Sequence, residues 1–307
     1  MFEIFEKFLK DQHISCVEKN VSMKKLTTIQ CGGNVDYLAS PDAIYELTQI
    51  FECISKNDIP YKILGNGSNI LVSDLGCNGI VITLKNMPPT IEIHNEKIHV
   101  AAQTEQAYLQ KKCILEGVNG LEFLSGIPGT IGGLIAMNAG SFGHEIADVL
   151  DSIHIIIPSG KKIELKTDHI DFSYRKINLA FEHYIITKGI FNVERNTMMK
   201  VKETYLSYLQ RRKSKNLWQM STFGSTFKNG KDFYAGELLE KCGCKGYCIG
   251  DAMVSETHAN FIINNGNATS KDIYLLIKKM KEEVKKKFDK DLELEVKLWG
   301  DFSYAEN

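Results

Sequence analysis

At 307 residues the chain is long enough for about two domains, and folding should bury roughly three quarters of its unfolded surface. Hydrophobic residues at 43% and charged residues at 24% match an ordinary soluble globular protein and exclude a collagenous, coiled-coil or disordered chain. A formal net charge of -1 argues against a general nucleic-acid binder, because affinity for a phosphate backbone needs a basic excess.

From the amino terminus, Met1 to Phe8 mixes acids into an amphipathic pattern without a basic stretch followed by an apolar one, so export is not expected and the chain reads as cytoplasmic. Ser40-Pro41 then predicts a helix start, with Ile44, Leu47, Phe51 and Ile54 at helical spacing over about 41–57. Short β-type runs follow at Tyr61–Leu64, Ile70–Val72 and Gly79–Leu84. Thr90–His94 and Lys97–Ala101 alternate around Asn95-Glu96 as a hairpin, after which Thr104 is expected to cap a helix ending at Gly117. Phe123 to Gly143 carries no charge, yet its six glycines, Pro128 and Asn138 make a poor membrane helix, and no membrane insertion is expected. Ile153–Ile157 and Lys161–Leu165 form a second hairpin, and Ile185–Val193 a further strand.

Near Glu194 to Lys200 the texture turns polar, and a helix bearing Val201, Tyr205, Tyr208 and Leu209 runs to Arg211-Arg212-Lys213. A domain boundary is placed there, giving 1–197, subdivided near 90, and 198–307. The second part holds a loop at Phe223–Lys231, a short helix at Gly236–Cys242 and a strand at Ala259–Ile263. Thr269 and Asp272 have capping-box spacing ahead of Ile273, Leu276, Ile277, Met280 and Val284 on one helical face. Leu292, Leu294, Val296 and Leu298 alternate as a final strand with Glu293, Glu295 and Lys297 opposite.

Two glycine-rich loops carry the chemistry: Gly65-Asn66-Gly67-Ser68-Asn69, and Gly126-Ile127-Pro128-Gly129-Thr130-Ile131-Gly132-Gly133, followed by Asn138-Ala139-Gly140. Glycine tolerates positive φ and adds no Cβ, so successive amides can converge on an anion, and two such loops in one domain suit the diphosphate of a dinucleotide. Either loop alone reads more readily as an ordinary turn. The eight cysteines read as reduced thiols, and the spacing of Cys242, Cys244 and Cys248 gives no metal site.

Several spaced motifs, in order and over nearly the whole chain, resemble the UDP-N-acetylenolpyruvoylglucosamine reductases, also called UDP-N-acetylmuramate dehydrogenases. They are Thr27-Thr28 with Gly32-Gly33, Leu64 through Asp74, Gly120-Leu121-Glu122-Phe123 through Gly140, Tyr174-Arg175, Gly224 through Asn229, Ala235-Gly236, Ser255 through Phe261, and Glu295-Val296. The stretch from Glu182 to Asn192 has no room for the tyrosine-bearing insertion of the longer branch, so the chain resembles the shorter, type II branch. The resemblance implies an α+β fold: an FAD-binding region of two subdomains, like that of vanillyl-alcohol oxidase, plus a smaller substrate-binding domain. It implies a cytoplasmic flavoprotein of peptidoglycan synthesis, hence of cell-wall biogenesis, cell shape and division. NADPH would reduce a noncovalently held FAD, which would reduce the enolpyruvyl group of a UDP-sugar.

By the same resemblance Arg175 pairs with the substrate carboxylate, Ser225 is the proton donor and Glu295 helps polarise the developing enolate. Residues of the two loops and of Asn138-Ala139-Gly140 would hold FAD, while Lys228 and Asn229, with Arg211 or Arg212, would face the uridine diphosphate end. On composition alone Arg175 reads equally as a surface ion-pair residue, Ser225 as a turn hydroxyl, Glu295 as the wet side of a strand, and the two arginines as complements to a helix end. The chain departs from the family pattern at Asn229-Gly230, where Asn-Pro is usual, and at Gln30-Cys31, where a basic-aliphatic pair is usual. Two other classes compete: a different FAD oxidoreductase of the same superfamily, whose covalent histidine is replaced here by Gly67, and a binding protein without turnover, against which Arg175, Ser225 and Glu295 argue.

Overall fold

A computed structural model of the protein describes residues 2–213 and 220–305. Among the described residues the α-helices are α1 Phe2–Asp11, α2 Ile44–Lys56, α3 Gln106–Glu116, α4 Ile131–Ala136, α5 Met198–Lys213, α6 Ala235–Lys241 and α7 Ser270–Phe288. The fold is mixed α+β and divides into two compact units, one of residues 1–18, 38–65 and 80–212, the other of 19–37, 66–79 and 213–307.

The first unit is built on a five-stranded antiparallel sheet in the order Lys162–Lys166, Leu150–Ile156, Ile185–Asn192, Lys97–Ala101, Ile91–His94. Both expected hairpins are present in it. Glycine decides how α4 meets this sheet. A Cβ at Gly189 on the central strand would stand 2.6 Å from Ile135 Cδ1, and one at Gly132 would stand 2.9 Å from Ala102 Cβ, so short α4 lies flat against the strands only because both are glycine. In the same unit Tyr61–Leu64 runs parallel to Ile80–Thr83.

Two expected helix starts are displaced. Helix α2 begins at Ile44 with Ala43 as N-cap and no side-chain cap, because the Ser40 amide is already bonded to Cys16 O at 2.8 Å and holds that stretch extended. Helix α3 begins at Gln106 after Glu105, while Thr104 is buried with its carbonyl accepting from Ile131 N and its Oγ1 without a partner among the described residues. The C-terminal end is as expected: Gly117 takes the left-handed conformation at φ 63°.

The second unit has α7 as its spine. Ile273, Leu276, Ile277, Met280 and Val284 are buried along it, in one core with Ile29, Leu71, Phe223, Phe227, Leu239, Val254 and Ile262. The capping box is formed, with Thr269 Oγ1 accepting from Asp272 N at 3.0 Å and Asp272 Oδ2 accepting from Thr269 N at 2.9 Å. The final strand is more local than the alternation suggests. Regular pairing is confined to Lys297–Trp299, which runs parallel to Ile70–Val72, and Leu294 contributes an isolated bridge to Phe227.

Asp74, just past Ile70–Val72, ties this pair to α7. Its carboxylate accepts from Ser270 N and Lys271 N, both at 2.9 Å, and from Tyr304 Oη at 2.9 Å. It therefore neutralises free amides of the first helical turn from a remote part of the chain. Asp74→Ala is expected to cost about 1–2 kcal/mol, the usual worth of an N-cap, and Asp74→Asn less, as read by chemical denaturation of the two variants beside the parent.

Candidate functional site

In the first unit Gly65, where the first glycine loop starts, meets the second loop. A Cβ at Gly65 would lie 2.8 Å from Thr130 Oγ1 and 3.8 Å from Gly133 Cα, so this glycine allows the close approach of the two stretches. The second loop is held by its margins: Ile127 N donates to Leu124 O, Gln106 N to Gly129 O, Ile131 N to Thr104 O and Gly132 N to Ala102 O. Gly126 bends it at φ 71°, and Thr130 Oγ1 accepts from Gly133 N as the N-cap of α4. Gly65 and Asn66 are exposed, and Gly126, Ile127, Gly129, Thr130, Gly132 and Gly133 half-exposed, with Pro128 outermost. A braced, partly open backbone with no side chain at Gly65 fits the diphosphate of a dinucleotide such as FAD.

Other members of the expected cofactor set serve the protein directly. Gly67, at φ 64°, is packed on the second unit's own backbone, where a Cβ would stand 2.1 Å from Leu26 O. Asn69 Nδ2 donates to Glu295 O at 3.2 Å, and Ser68 O lies 3.9 Å from the position a Cβ on Gly224 would take. Asn138 is buried, accepting from Ala147 N at 3.0 Å and donating to Ser173 O at 3.3 Å; Ala139 is buried beside it. Gly140 offers its carbonyl to Arg175 Nη1 at 3.3 Å.

Arg175 stands at the tip of the hairpin Asp171–Ser173 and Lys176–Asn178, with φ 62°. That conformation costs a long side chain roughly 1–2 kcal/mol, so the hairpin tip is held in place by its surroundings, through Gly140 and Asn138. Arg211 and Arg212 stack over the ring of Phe142, at 4.8 and 5.5 Å from its centroid, and Phe142 in turn stacks on Tyr208 at 4.9 Å. Burial, and then the charge of Arg175, push the Arg212 guanidinium below its ordinary range, and its Nε is buried without a partner among the described residues. Arg175 and Arg212 thus concentrate positive charge in one part of the first unit, an arrangement that favours an anion. Sequence reasoning missed Phe142 and Tyr208; the sole hint was an aromatic set between two glycines.

In the second unit Ser225 and Glu295 lie on neighbouring extended segments. Glu295 N donates to Thr226 O at 2.9 Å and Lys228 N to Glu293 O at 2.9 Å. Both Ser225 and Glu295 are half-buried, so Glu295 is not on a fully wet strand face. Lys228 Nζ pairs with Glu293, and Asn229 Oδ1 accepts from Ala235 N at 3.0 Å, which caps α6. The departures from the family pattern are structural: a Cβ at Gly230 would stand 2.2 Å from the Phe233 ring, Gln30 adopts φ 57°, and Cys31 is buried against Ser270.

Among the described residues no group of three or more His, Cys, Asp or Glu side chains is arranged for a metal, and no helix is long and apolar enough to cross a membrane. The cysteines are free thiols, and burial pushes Cys113 and Cys244 up to about 12.

A family model described as an FAD binding domain matches residues 35–166, and one described as the C-terminal domain of UDP-N-acetylenolpyruvoylglucosamine reductase matches 216–299. The chain is 38% identical to the UDP-N-acetylenolpyruvoylglucosamine reductase of Caldanaerobacter subterraneus subsp. tengcongensis, over 92% of this chain and 93% of that protein. The chain belongs to the UDP-N-acetylenolpyruvoylglucosamine reductase family. The reductase of Listeria welshimeri is 36% identical over 94% and 97% of the two chains. The crystal structure of UDP-N-acetylenolpyruvylglucosamine reductase from Thermus caldophilus superposes with a TM-score of 0.79 at 31% identity, covering 92% of this chain and 99% of that one. With an FAD-binding domain and this family's carboxy-terminal domain, the chain is a flavoprotein oxidoreductase of cell-wall precursor synthesis, of the length of the shorter, type II branch.

Because Gly67 has no room for a side chain, the flavin has no covalent anchor there. Purified protein is expected to be yellow and, on acid precipitation, to leave all of its FAD in the supernatant; flavin in the pellet would contradict this. Gly65→Val, which places atoms against Thr130 Oγ1, should lower the apoprotein melt slightly and weaken FAD binding about tenfold or more, some 1.4 kcal/mol, as read by flavin fluorescence titration beside the melts.

Proposed function

We propose that this protein reduces the enolpyruvyl group of UDP-N-acetylglucosamine enolpyruvate to give UDP-N-acetylmuramate, with NADPH as hydride source, in the cytoplasm. Residues 1–197 carry the cofactor, in two subdomains meeting near 90, and residues 198–307 the substrate; the spans of the two matching family models, 35–166 and 216–299, are in keeping with this. The observation that carries the reading is the hydrogen bond from Glu295 N to Thr226 O, which supports a joint role for Ser225 and Glu295 on adjoining backbone.

FAD held by the two glycine loops would supply the hydride that reduces the methylene carbon of the enolpyruvyl group. Negative charge then develops on the neighbouring carbon and spreads into the carboxylate, and preorganised donors are worth most where that charge appears. Arg175 offers a planar fork to the carboxylate. Its strained backbone supports a role beyond surface pairing. The Ser225 hydroxyl donates its proton to the carbon bearing the ether oxygen, and Glu295 polarises the developing enolate. Gly65, Asn66, Gly67, Ser68 and Asn69, with Gly126 to Thr130, Gly132, Gly133 and Asn138 to Gly140, form the cofactor surround. Within it Gly67 and Asn138 act by shaping backbone. Arg211, Arg212, Lys228 and Asn229 bind the diphosphate and uridine end. Arg212 is the strongest of these, since its buried Nε, without a partner among the described residues, and its neighbour Arg175 both call for an anion.

Ser225→Ala divides the reaction. Anaerobic bleaching of the flavin by NADPH should proceed as in the parent, whereas reoxidation by the enolpyruvyl substrate should slow by roughly 10²–10⁴, or about 3–5 kcal/mol of barrier. Equal stopped-flow reoxidation rates in parent and variant would remove Ser225 as donor. Arg175→Lys and Glu295→Gln should lower turnover far more than melting temperature, because both act on charge that exists mainly in the transition state; matched losses of rate and stability would make them scaffold.

A further inference from the structure

The run Ser255 to Phe261 has no role in the chemistry above, yet it packs against the segment that bears Ser225. Ser255 Oγ, buried, accepts from Thr257 N at 3.2 Å and His258 N at 3.4 Å and lies 3.0 Å from Thr257 Oγ1. His258 Nδ1 accepts from Asn260 N at 3.2 Å, and the His258 ring stands edge-on to Phe261 at 4.8 Å. This turn leaves Asn260 4% exposed, with its side chain set beside the backbone of Phe227. Asn260 Oδ1 accepts from Phe227 N at 2.9 Å and Asn260 Nδ2 donates to Phe227 O at 2.8 Å. The side-chain amide copies the peptide of a neighbouring strand. The main chain continues the ladder: Thr226 N donates to Asn260 O at 2.8 Å, and Ser225 bridges Phe261.

The middle segment is therefore held from both sides, by Asn260 on one and by the stretch from Glu293 to Glu295 on the other. A buried amide that satisfies both the N–H and the C=O of one residue fixes the tilt of the two peptides flanking it, which an aliphatic side chain cannot do without leaving two polar groups unpaired. Packing alone would favour an apolar residue in this core. We propose that Asn260 is a positioning residue for the reduction, clamping the two peptides that flank Phe227 so that the Ser225 hydroxyl keeps its place relative to Glu295. The proposal rests on the reading of Ser225 as proton donor.

Asn260→Asp keeps the shape and the acceptor but loses the donor, and Asn260→Leu loses both. In the FAD-loaded enzyme both variants should bleach with NADPH at the parent rate, while reoxidation by the enolpyruvyl substrate falls about 10- to 100-fold, the usual scale for a group displaced by about an ångström. Amide hydrogen exchange across 225–228 should quicken in both. In a Ser225→Ala background the Asn260→Asp change should add little further loss, because the group it positions is gone. Parent-like reoxidation, effects that simply multiply in the double variant, an equal fall in bleaching, or failure of both variants to fold would each overturn the proposal. If Ser225→Ala is itself slow and Asn260→Asp is parent-like, the positioning role alone falls. If Ser225→Ala is parent-like, the donor reading falls and this one with it.

Discussion

The second unit depends on one pairing: Ile70–Val72 beside Lys297–Trp299, in parallel and in register, joining stretches of chain more than two hundred residues apart. Such a contact pays a large closure entropy and must be reinforced to persist. Lys297 N donates to Asn69 O, Asn69 Nδ2 to Glu295 O, Ser73 N to Trp299 O, and Ser270 Oγ to Val72 O, while Asp74 holds the first turn of α7. Glu295 is thereby fixed two residues before the parallel strand begins. Ser225 is fixed in turn, since its segment is bonded to the stretch from Glu293 to Glu295. The proposed acid and its polarising carboxylate inherit their positions from a strand pairing that neither takes part in.

The first unit solves a different problem, that of gathering positive charge beside an aromatic ring. Arg211 and Arg212 lie over the ring of Phe142, and Arg212 is half-buried near Arg175 at a cost to its own charged form. A folded chain does not keep such an arrangement for stability, because like charges and desolvation both oppose it. The left-handed backbone of Arg175 adds strain at the same place. Glycines do the opposite work nearby. Gly132 and Gly189 let α4 settle on the sheet, and with α4 comes the loop that opens toward Gly65.

Much of this was legible in the order of residues. The hairpins, the capping box at Thr269, the apolar face of α7 and the left-handed stop at Gly117 follow from spacing and from what glycine and threonine can do locally, and each is present in the fold. The helix starts proposed at Ser40 and Thr104 failed because distant partners hold the backbone there outside the helix: Ser40 N donates to Cys16 O, and Thr104 O accepts from Ile131 N. The family, and with it the flavin and the candidate roles of Arg175, Ser225 and Glu295, could be named from motif order alone.

What the sequence by itself determined, then, is whatever depends on neighbours a few residues away: periodicity, capping, turn chemistry, and the glycine positions where a backbone must stay bare. Tertiary structure alone decided which bare backbone stays open and which the protein closes over. Gly65 is exposed beside Thr130, whereas Gly67, two residues later and indistinguishable in sequence, is buried against the Leu26 carbonyl. It also decided that Asn69 and Asn260, which read as turn and strand residues, spend their amides on the backbone around Glu295 and Ser225. A side-chain amide is chemically the same in either role, and only the three-dimensional position of its partner, a peptide 33 residues away for Asn260 and 226 for Asn69, separates them.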